Sequence, residues 1–574
     1  MNSSINRRLG YEDIFDGNPK DFEDYFEGMG KEDIFKAITF LVNAANPDHE
    51  LFSADKLIEK WFCPANQGIK NEILAKISPS EGIAHIISSL KLVEYVLTHF
   101  FDEATSISDE DLEINLLKAY SLLNVEQKKN EEDGYKYLPP ESDAEERFIA
   151  LIVTMGFHDS DLMNYKIADV LIPQIVKSIE FFKYLERRKE LNPHLEYFLE
   201  MFDCDSWQTW LKNYLAVVLP NVASEPKSFY DIVVVHDDNY ERNCAFWDTL
   251  ILSDEDSHSM KDFITLRSQP LIKIGEGHYR VIFTLFLVEK IFKSIQFLFS
   301  LKINREIPKQ FQLKDFRADH CDLFSEQTLL YRVIEKSFPS YWVQKSGEDF
   351  RAFGYEGEPD YYVRCTSKIF LFESKDVVLK GDEKQSRNWD ILNKALCEKF
   401  YKITKSNGKI EAKAVLQIIE NIKRLFERYY SKCDGYYNPE LIVIYPILIT
   451  HDRQFDAMGV QRLVNSWFMK ELENIKDKVD IDRIKPLTLI NIDTFLTHQE
   501  FLTAREQVKI EDIIDEYHAM INFDKSSCRD YEELTQKTMD SYMSFSHFFE
   551  GRIDNLGVRK MPSFVLEYAK GLFE

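Results

Sequence analysis

The stretch that decides the fold is Gly357–Lys375, GEPDYYVRCTSKIFLFESK. An alternating segment begins at Asp360 and leads through a short turn into a buried apolar run, which ends in Glu373, Ser374 and Lys375. Because successive side chains of a strand point to opposite faces, Glu373 and Lys375 share one face and Ser374 lies on the other. A hairpin would bring Asp360, near the start of its strand, towards Glu373, near the end of the returning strand. The sequence therefore predicts two carboxylates and one amine at a single edge of a sheet.

Two carboxylates beside an amine suit the hydrolysis of a phosphodiester bond. Mg²⁺ takes hard oxygen ligands and keeps exchangeable waters, so Asp360 and Glu373 are candidate metal ligands. A metal ion held there lowers the pKa of a bound water and stabilises charge on the phosphoryl oxygens. Lys375 is the candidate catalytic amine, because an ammonium can orient the attacking water or stabilise the pentavalent state. Mn²⁺ can take the place of Mg²⁺ in the same oxygen donor set.

Pro359-Asp360 followed by Glu373-x-Lys375 resembles the motif of the PD-(D/E)xK nuclease superfamily. The resemblance covers residues 316–510 and implies a restriction-endonuclease-like α/β domain with a mixed central sheet. Superfamily members often carry an accessory metal-binding Glu on the first helix of this domain. Several branches also carry an extra active-site Gln on a later helix. The resemblance thus implies a metal-dependent nuclease, with DNA as the commonest substrate of the superfamily.

Two predicted helices flank the motif and contain candidates for these further roles. In Asp322–Ser337, Glu326 shares a face with apolar side chains, and a carboxylate on an apolar stripe requires a partner or a function. Glu326 is the candidate accessory metal ligand, and a Glu that interacts with the macrodipole at a helix start is the alternative. The amphipathic pattern of Lys413–Phe426 predicts the later helix, in which Gln417 is the candidate active-site Gln. A solvated Gln on an exposed helix surface is an equally open interpretation.

The apolar runs downstream of the motif predict further strands of the same sheet. Leu441–Thr450 and Leu487–Ile492 are short, continuous and β-branched, which is typical of buried strands. Together with the motif and its flanking helices, we expect them to complete the order helix, three strands, helix, strand. This order is the one that the resemblance implies for the α/β domain.

The remainder of the chain is predicted to be largely helical, so we expect a multidomain protein. Residues 1–315 form a helical N-terminal region, with a sub-boundary in the charged stretch 126–146 and a small β-hairpin near 268–283. The nuclease-like domain follows at 316–510. Residues 511–574 form a helical C-terminal extension. No motif in the N-terminal region indicates a chemistry of its own.

The distribution of charge bears on whether the substrate is a nucleic acid. The chain has 71 Lys and Arg against 97 Asp and Glu, and its net charge of −26 repels polyanions. The first 150 residues hold 15 basic and 30 acidic side chains, whereas residues 361–440 hold 16 basic and 11 acidic ones. The candidate phosphate-binding residues that follow the motif are Lys380, Lys384, Arg387 and Lys394. An ordinary solvated helix surface would explain the same positive charges.

These observations predict a Mg²⁺-dependent phosphodiesterase that cleaves nucleic acid, with DNA as the leading substrate. A role in anti-phage defence or restriction follows only by analogy with similar fusions. An RNA or tRNA nuclease of the same fold and a non-catalytic scaffold that retains the fold both stay open. A regulatory protein partner and a homo-oligomer are also open. The chain shows no apolar N-terminal segment, no long apolar run and no paired cysteine spacing, which predicts a cytoplasmic protein without membrane contact.

Overall fold

The computed structural model describes residues 7–47, 49–99, 104–140, 142–163, 165–223, 229–252, 261–506, 508–557 and 563–573. The chain divides into two compact units, each assembled from several segments. Unit 1 draws on Met1–Lys136, Tyr165–Leu171 and Leu199–Gln296. Unit 2 draws on Tyr137–Asn164, Ile172–Phe198 and Phe297–Glu574. Among the described residues, no helix combines the length and the apolar character needed to cross a membrane.

Unit 1 is mainly helical. Its helix Asp109–Gly134 begins at Ser108, whose hydroxyl accepts the amide N–H of Asp111, and acidic side chains fill the first turn. Its buried surface includes Leu117 and Tyr120. The helices within unit 1 are Tyr11–Ile14, Lys31–Ala44, Ala54–Trp61, Gln67–Leu74, Ile86–His99, Asp109–Gly134, Trp207–Ala223, Tyr240–Asp248, Ile264–Ser268 and Thr284–Glu289.

The charged stretch 126–146, in which the sequence predicts a sub-boundary, is helical at both ends. It continues the preceding helix as far as Gly134, and a new helix begins at Ala144. Glu, Lys and Gln are good helix formers, so a run of charge alone does not indicate a loop. The chain passes from unit 1 to unit 2 between Lys136 and Tyr137, inside this stretch.

Two small sheets lie among the described residues of unit 1. Arg7–Arg8 pairs in parallel with Glu81–Gly82. In the second sheet, His278–Val281 is the central strand and runs antiparallel to both Asp231–Val233 and Leu271–Gly275. The last two strands in sequence form a hairpin at the position predicted for one.

A five-stranded mixed sheet is the centre of unit 2. Its strands are β1 (Val343–Ser346), β2 (Tyr361–Cys365), β3 (Lys368–Lys375), β4 (Val443–Thr450) and β5 (Thr488–Asn491). Their spatial order is β5-β4-β3-β2-β1. β2 is antiparallel to β1 and to β3, whereas β4 is parallel to β3 and to β5. The carboxyl ends of β3, β4 and β5 therefore meet at one edge of the sheet.

Helices surround this sheet. Those used below are α1 (Tyr331–Ser337), α2 (Gly347–Ala352), α3 (Trp389–Phe400), α4 (Ala414–Phe426), α5 (Val460–Glu473) and α6 (Ile492–Ala504). A π-helical segment, His320–Leu330, leads directly into α1. Further helices of unit 2 are Ala144–Gly156, Ser160–Met163, Asn304–Glu306, Phe316–Asp319, Gly381–Lys384, Ile510–Ile521, Tyr531–Asp540, Phe545–Leu556 and Ser563–Phe573.

Some elements lie at the boundaries of the units or outside the main sheet. Three helices contain a point at which the chain changes unit: Ile167–Arg187, Asn192–Met201 and Lys293–Leu298. A short antiparallel hairpin of Lys402–Thr404 and Ile410–Ala412 precedes α4. This hairpin does not pair with the five-stranded sheet.

Apolar side chains on both faces of the sheet form the core of unit 2. On one face, Ile369 and Leu371 of β3 pack with side chains of α3, α4 and α5. On the other face, Phe338, just after α1, lies 5.2 Å from Phe370 and 6.0 Å from Phe372 between ring centroids. The alternation of β3 thus assigns odd-numbered residues to the α4 side and even-numbered residues to the α1 side.

The observed elements agree with the predicted fold class at the level of a helical region and an α/β unit with a mixed sheet. β4 and β5 lie where the sequence predicts strands. The edge strand β1 is not predicted, because Val343–Ser346 is polar and partly exposed along its length. The boundary predicted at residue 315 lies within unit 2. The core of that unit also includes Ile149 and Val153 of the upstream helix.

Candidate active site

The β2–β3 hairpin brings the predicted acidic and basic side chains to one edge of the sheet. Tyr361 pairs with Phe372, so the next residues outward, Asp360 and Glu373, stand opposite each other. Lys375 follows Glu373 by two positions and therefore points to the same face of β3. The register of the hairpin therefore brings the three motif residues, Asp360, Glu373 and Lys375, to the same edge of the sheet.

Hydrogen bonds connect these groups. The Ser374 N–H donates to Asp360 Oδ2 at 2.7 Å, and Lys375 Nζ donates to Glu373 Oε1 at 2.7 Å. Glu373 is 1% exposed, while the side chain of Lys375 is 21% exposed. Each bond engages one oxygen of its carboxylate. The second oxygens, Asp360 Oδ1 and Glu373 Oε2, accept no hydrogen bond from the described residues.

Burial and neighbouring charges shift the pKa values of the ionisable groups at this edge. Burial and the neighbouring Asp360 together raise the pKa of Glu373 to about 8. Burial also raises the pKa of Asp360. For Lys375, burial acts in the opposite direction, but the carboxylates of Glu373 and Asp360 raise its pKa above the ordinary value. Lys375 therefore stays a cation, and it does not neutralise the carboxylates around it completely.

The π-helical segment contributes a third carboxylate, Glu326. Tyr331 Oη donates to Glu326 Oε1 at 2.8 Å, and Arg351 Nη2 lies 3.9 Å from the same oxygen. Burial and the charge of Asp360 together raise the pKa of Glu326 to about 7. π-helical turns are frequent at functional sites. Glu326 is thus close enough to Asp360 for their charges to interact.

The carboxylate oxygens at this edge are suitable ligands for a hard divalent cation. Asp360, Glu373 and Glu326 are carboxylates with raised pKa values, and carboxylate oxygens are the ligands that Mg²⁺ takes in proteins. A divalent cation would supply the positive charge that Lys375 alone does not. As the side chains are placed, no three His, Cys, Asp or Glu groups of the described residues converge on a position that could hold a metal ion. Coordination of one cation by all three carboxylates therefore requires side-chain rotations at this edge.

Gln417 is not joined to the cluster by a hydrogen bond. It lies in α4, beside the buried stripe that includes Ile418 and Ile422. The Gln417 side chain is partly exposed, and it makes no hydrogen bond within the part of the chain that the structure describes. Its role as an active-site residue stays a prediction.

Two of the four candidate phosphate-binding residues are buried. Lys384 Nζ lies 2.7 Å from Asp161 Oδ1, with the two side chains 2% and 1% exposed. Arg387 Nη2 lies 2.8 Å from His158 Nε2 and is also buried. These two cations are engaged inside unit 2 and are not available to a phosphate in this conformation. The two candidates that remain exposed are Lys380 and Lys394.

No sequence pattern indicates Arg351 or Tyr331, both of which contact Glu326. Arg351 belongs to α2, its side chain is 47% exposed, and its Nη1 lies 2.9 Å from Glu358 Oε1. Neither residue stands at a spacing that the motif specifies. The placement of α2 depends on β1, which the sequence does not reveal, so no local signal connects Arg351 with the site.

Comparison with protein-family models, with curated proteins and with solved structures finds no match to this chain. Neither the sheet nor the acidic cluster is therefore assigned to a family by similarity. The function of the site has to be inferred from the chemistry and geometry of its own residues.

Proposed function

We propose that this protein is a Mg²⁺-dependent nuclease that hydrolyses phosphodiester bonds in an active site formed by Asp360, Glu373 and Lys375. The observation that carries the proposal is the register of the β2–β3 hairpin, which sets Asp360 opposite Glu373. In unit 2, β2 runs antiparallel to its neighbours β1 and β3, and β4 runs parallel to β3. This mixed sheet supports a restriction-endonuclease-like fold for the unit. The raised pKa values of the carboxylates add support, because they indicate a place where a cation is favourable.

The roles of the residues follow from their chemistry. Asp360 and Glu373 would hold Mg²⁺, with Glu326 as an additional oxygen ligand. Bound Mg²⁺ supplies an acidified water and positive charge next to the phosphoryl oxygens. Lys375, freed from the Glu373 oxygen, would orient that water and stabilise the developing negative charge on the phosphate. The Ser374 N–H holds Asp360 in place through the 2.7 Å hydrogen bond.

Arg351 is the side chain best placed to bind a phosphate of the substrate. It is nearly half exposed, and it lies at the side of the site formed by Glu326 and Glu358. An Arg guanidinium can bind two phosphate oxygens at once, which fixes the position of the backbone that is to be cut. In this proposal Arg351 positions the nucleic acid while the carboxylates and Lys375 carry out the hydrolysis.

The experiment that tests this function is a cleavage assay with the full-length protein. Supercoiled plasmid DNA and a structured RNA are each incubated with Mg²⁺ or with EDTA. We expect cleavage with Mg²⁺ and none with EDTA, with DNA cut faster than RNA. Lys375→Ala should slow cleavage by about 100-fold or more, since it removes a cation at the reacting phosphate.

The matched control is Lys409→Ala, which removes an exposed lysine of unit 2 outside the site. This variant should cleave at the wild-type rate. Faster cleavage of RNA than DNA would redirect the proposal to the RNA nuclease of the same fold. Failure to cleave either substrate with Mg²⁺, or equal cleavage by Lys375→Ala and wild type, would count against a nuclease at this site.

A further inference from the structure

Asp376, which directly follows β3, makes a set of contacts that the proposed chemistry does not use. Arg317 donates to Asp376 Oδ1 at 2.6 Å and to Oδ2 at 3.1 Å. The Ser325 hydroxyl donates to Oδ2 at 2.6 Å, and Cys321 Sγ lies 3.3 Å from the Asp376 carbonyl oxygen. The Asp376 side chain is 8% exposed. A buried carboxylate with this many donors is fixed in position.

All three of these partners lie on the stretch of chain that carries Glu326. Arg317 is in the helix Phe316–Asp319, and Cys321 and Ser325 are in the π-helical segment. Ser325 immediately precedes Glu326. The helices are not part of the sheet and share no backbone ladder with β3, so their position relative to β3 depends on side-chain contacts.

The two faces of β3 explain why Asp376 can make this connection. Glu373 and Lys375 point to the α4 side, whereas Asp376 continues the alternation of Phe370 and Phe372 on the α1 side. The π-helical segment and α1 pack on that side, as the contact of Phe338 with Phe372 shows. Asp376 thus links β3, the strand that carries Glu373 and Lys375, with the π-helical segment that carries Glu326.

We infer that Asp376 is a positioning residue, which holds the π-helical segment against β3. Glu326 is thereby kept beside Asp360, where it can bind the same cation as Asp360 and Glu373. The inference rests on the proposed function, because it concerns binding of the metal ion. Although burial opposes ionisation, Arg317 holds the pKa of Asp376 well below its ordinary range, so the carboxylate stays charged at neutral pH. Outer residues that orient metal ligands commonly affect metal affinity.

The test measures Mn²⁺ binding by the full-length protein, through the loss of the free-ion signal in electron paramagnetic resonance. Asp376→Asn should weaken Mn²⁺ binding by roughly 10-fold, the usual order for a residue that orients a metal ligand. Ser325→Ala removes one hydrogen bond and keeps the charge of Asp376, so a weaker but measurable loss is expected. That variant separates positioning from the electrostatic effect of the Asp376 charge.

A double-mutant cycle separates positioning from general structural damage. If Asp376 acts through Glu326, then adding Asp376→Asn to Glu326→Gln should change the Mn²⁺ dissociation constant by less than about twofold. The matched control is Asp434→Asn, which breaks another buried Arg–carboxylate pair of unit 2, that with Arg364. The control should lower the melting temperature and leave Mn²⁺ affinity unchanged.

Each of the other outcomes is decisive. If wild type does not bind Mn²⁺, the proposed function fails, and the inference fails with it. If wild type binds Mn²⁺ but Asp376→Asn and Ser325→Ala bind it equally well, the positioning role is overturned while the proposed function stands. The positioning role is also overturned if Asp376→Asn weakens Mn²⁺ binding as strongly in the Glu326→Gln background as in the wild type. It is likewise overturned if Asp434→Asn weakens Mn²⁺ binding as much as Asp376→Asn does.

Discussion

At the scale of the residue, buried ion pairs determine how unit 2 responds to acid. Asp434 accepts hydrogen bonds from Arg364 Nη2 at 2.8 Å and from Tyr362 Oη at 3.0 Å, and its side chain is 3% exposed. Burial opposes ionisation of Asp434, but the guanidinium of Arg364 lowers its pKa below the ordinary value. The folded state therefore binds this proton less readily than the unfolded chain does.

The sign of the pH dependence follows from this lowered pKa. Asp434 contributes stability at pH values above the pKa of an unfolded Asp, about 3.9, and the contribution disappears as pH falls through the lower folded pKa. We predict that Asp434→Asn destabilises unit 2 by about 3 kcal/mol at pH 7, because Arg364 is left buried and unpaired. The difference in melting temperature between wild type and variant should narrow as pH falls below about 4.

Thermal unfolding of both proteins across this pH range is the measurement. The control is Asp480→Asn, which breaks the exposed pair with Arg483, and a surface pair contributes only about 0–1 kcal/mol. A melting-temperature difference for Asp434→Asn that stays constant from neutral to acidic pH would contradict the assigned ionisation.

The residues of the site differ in how far the sequence can predict them. Asp360, Glu373 and Lys375 are set by one hairpin, so local alternation and the motif suffice to select them. Arg351 depends on contacts across the fold and has no pattern of its own. Lys384 and Arg387 follow the motif in sequence, but their partners come from a distant helical segment, so their burial could not be predicted from spacing. The partners are Asp161 and His158.

At the scale of the element, α4 is the helix whose amphipathic pattern most directly supports the sheet. Val415, Ile418, Ile422 and Leu425 recur at spacings of three and four, and all four are fully or almost fully buried. They pack in the same core as Leu371 of β3. The hairpin that carries the site is thus supported from the α4 side by this stripe.

Ile422→Ala tests that support. Ile422 is 0% exposed, and truncating a fully buried Ile costs about 2–5 kcal/mol through lost burial and the cavity left behind. Glu420→Ala on the exposed surface of the same helix should cost no more than about 0.5 kcal/mol, since it removes only ion pairs along the helix. Thermal unfolding measures both variants. Equal destabilisation by the two substitutions would show that the stripe does not support the core.

Periodicity predicts the elements with a strong apolar pattern and misses the others. The helix α4 and the strands β4 and β5 have such patterns, and they lie where the sequence predicts them. The predicted helix Asp322–Ser337 is π-helical through Leu330. Within it the Thr328 hydroxyl donates to the Leu323 carbonyl, a contact that no hydrophobic period encodes.

At the scale of the whole molecule, the chain forms two units whose segments interleave in sequence. Composition cannot reveal this division, because the upstream helix Ala144–Gly156 joins the core of unit 2 through tertiary packing alone. Charged side chains are also distributed unevenly along the chain. The net charge of −26 belongs to the whole chain, while the carboxylates of the site face one edge of a single sheet. Any binding of nucleic acid therefore requires a locally basic site or a partner that supplies positive charge.

The rate of Mg²⁺-dependent plasmid cleavage by Glu373→Gln is the most direct test of the proposed site. Gln keeps the size of Glu373 and removes the charge that would bind the metal ion, so cleavage by the full-length variant should fall by about 100-fold or more. The control Glu440→Gln, an exposed position of unit 2, should cleave at the wild-type rate. Thermal unfolding verifies that the variant remains folded. Undiminished cleavage by folded Glu373→Gln would contradict a metal-dependent nuclease site at the end of β3.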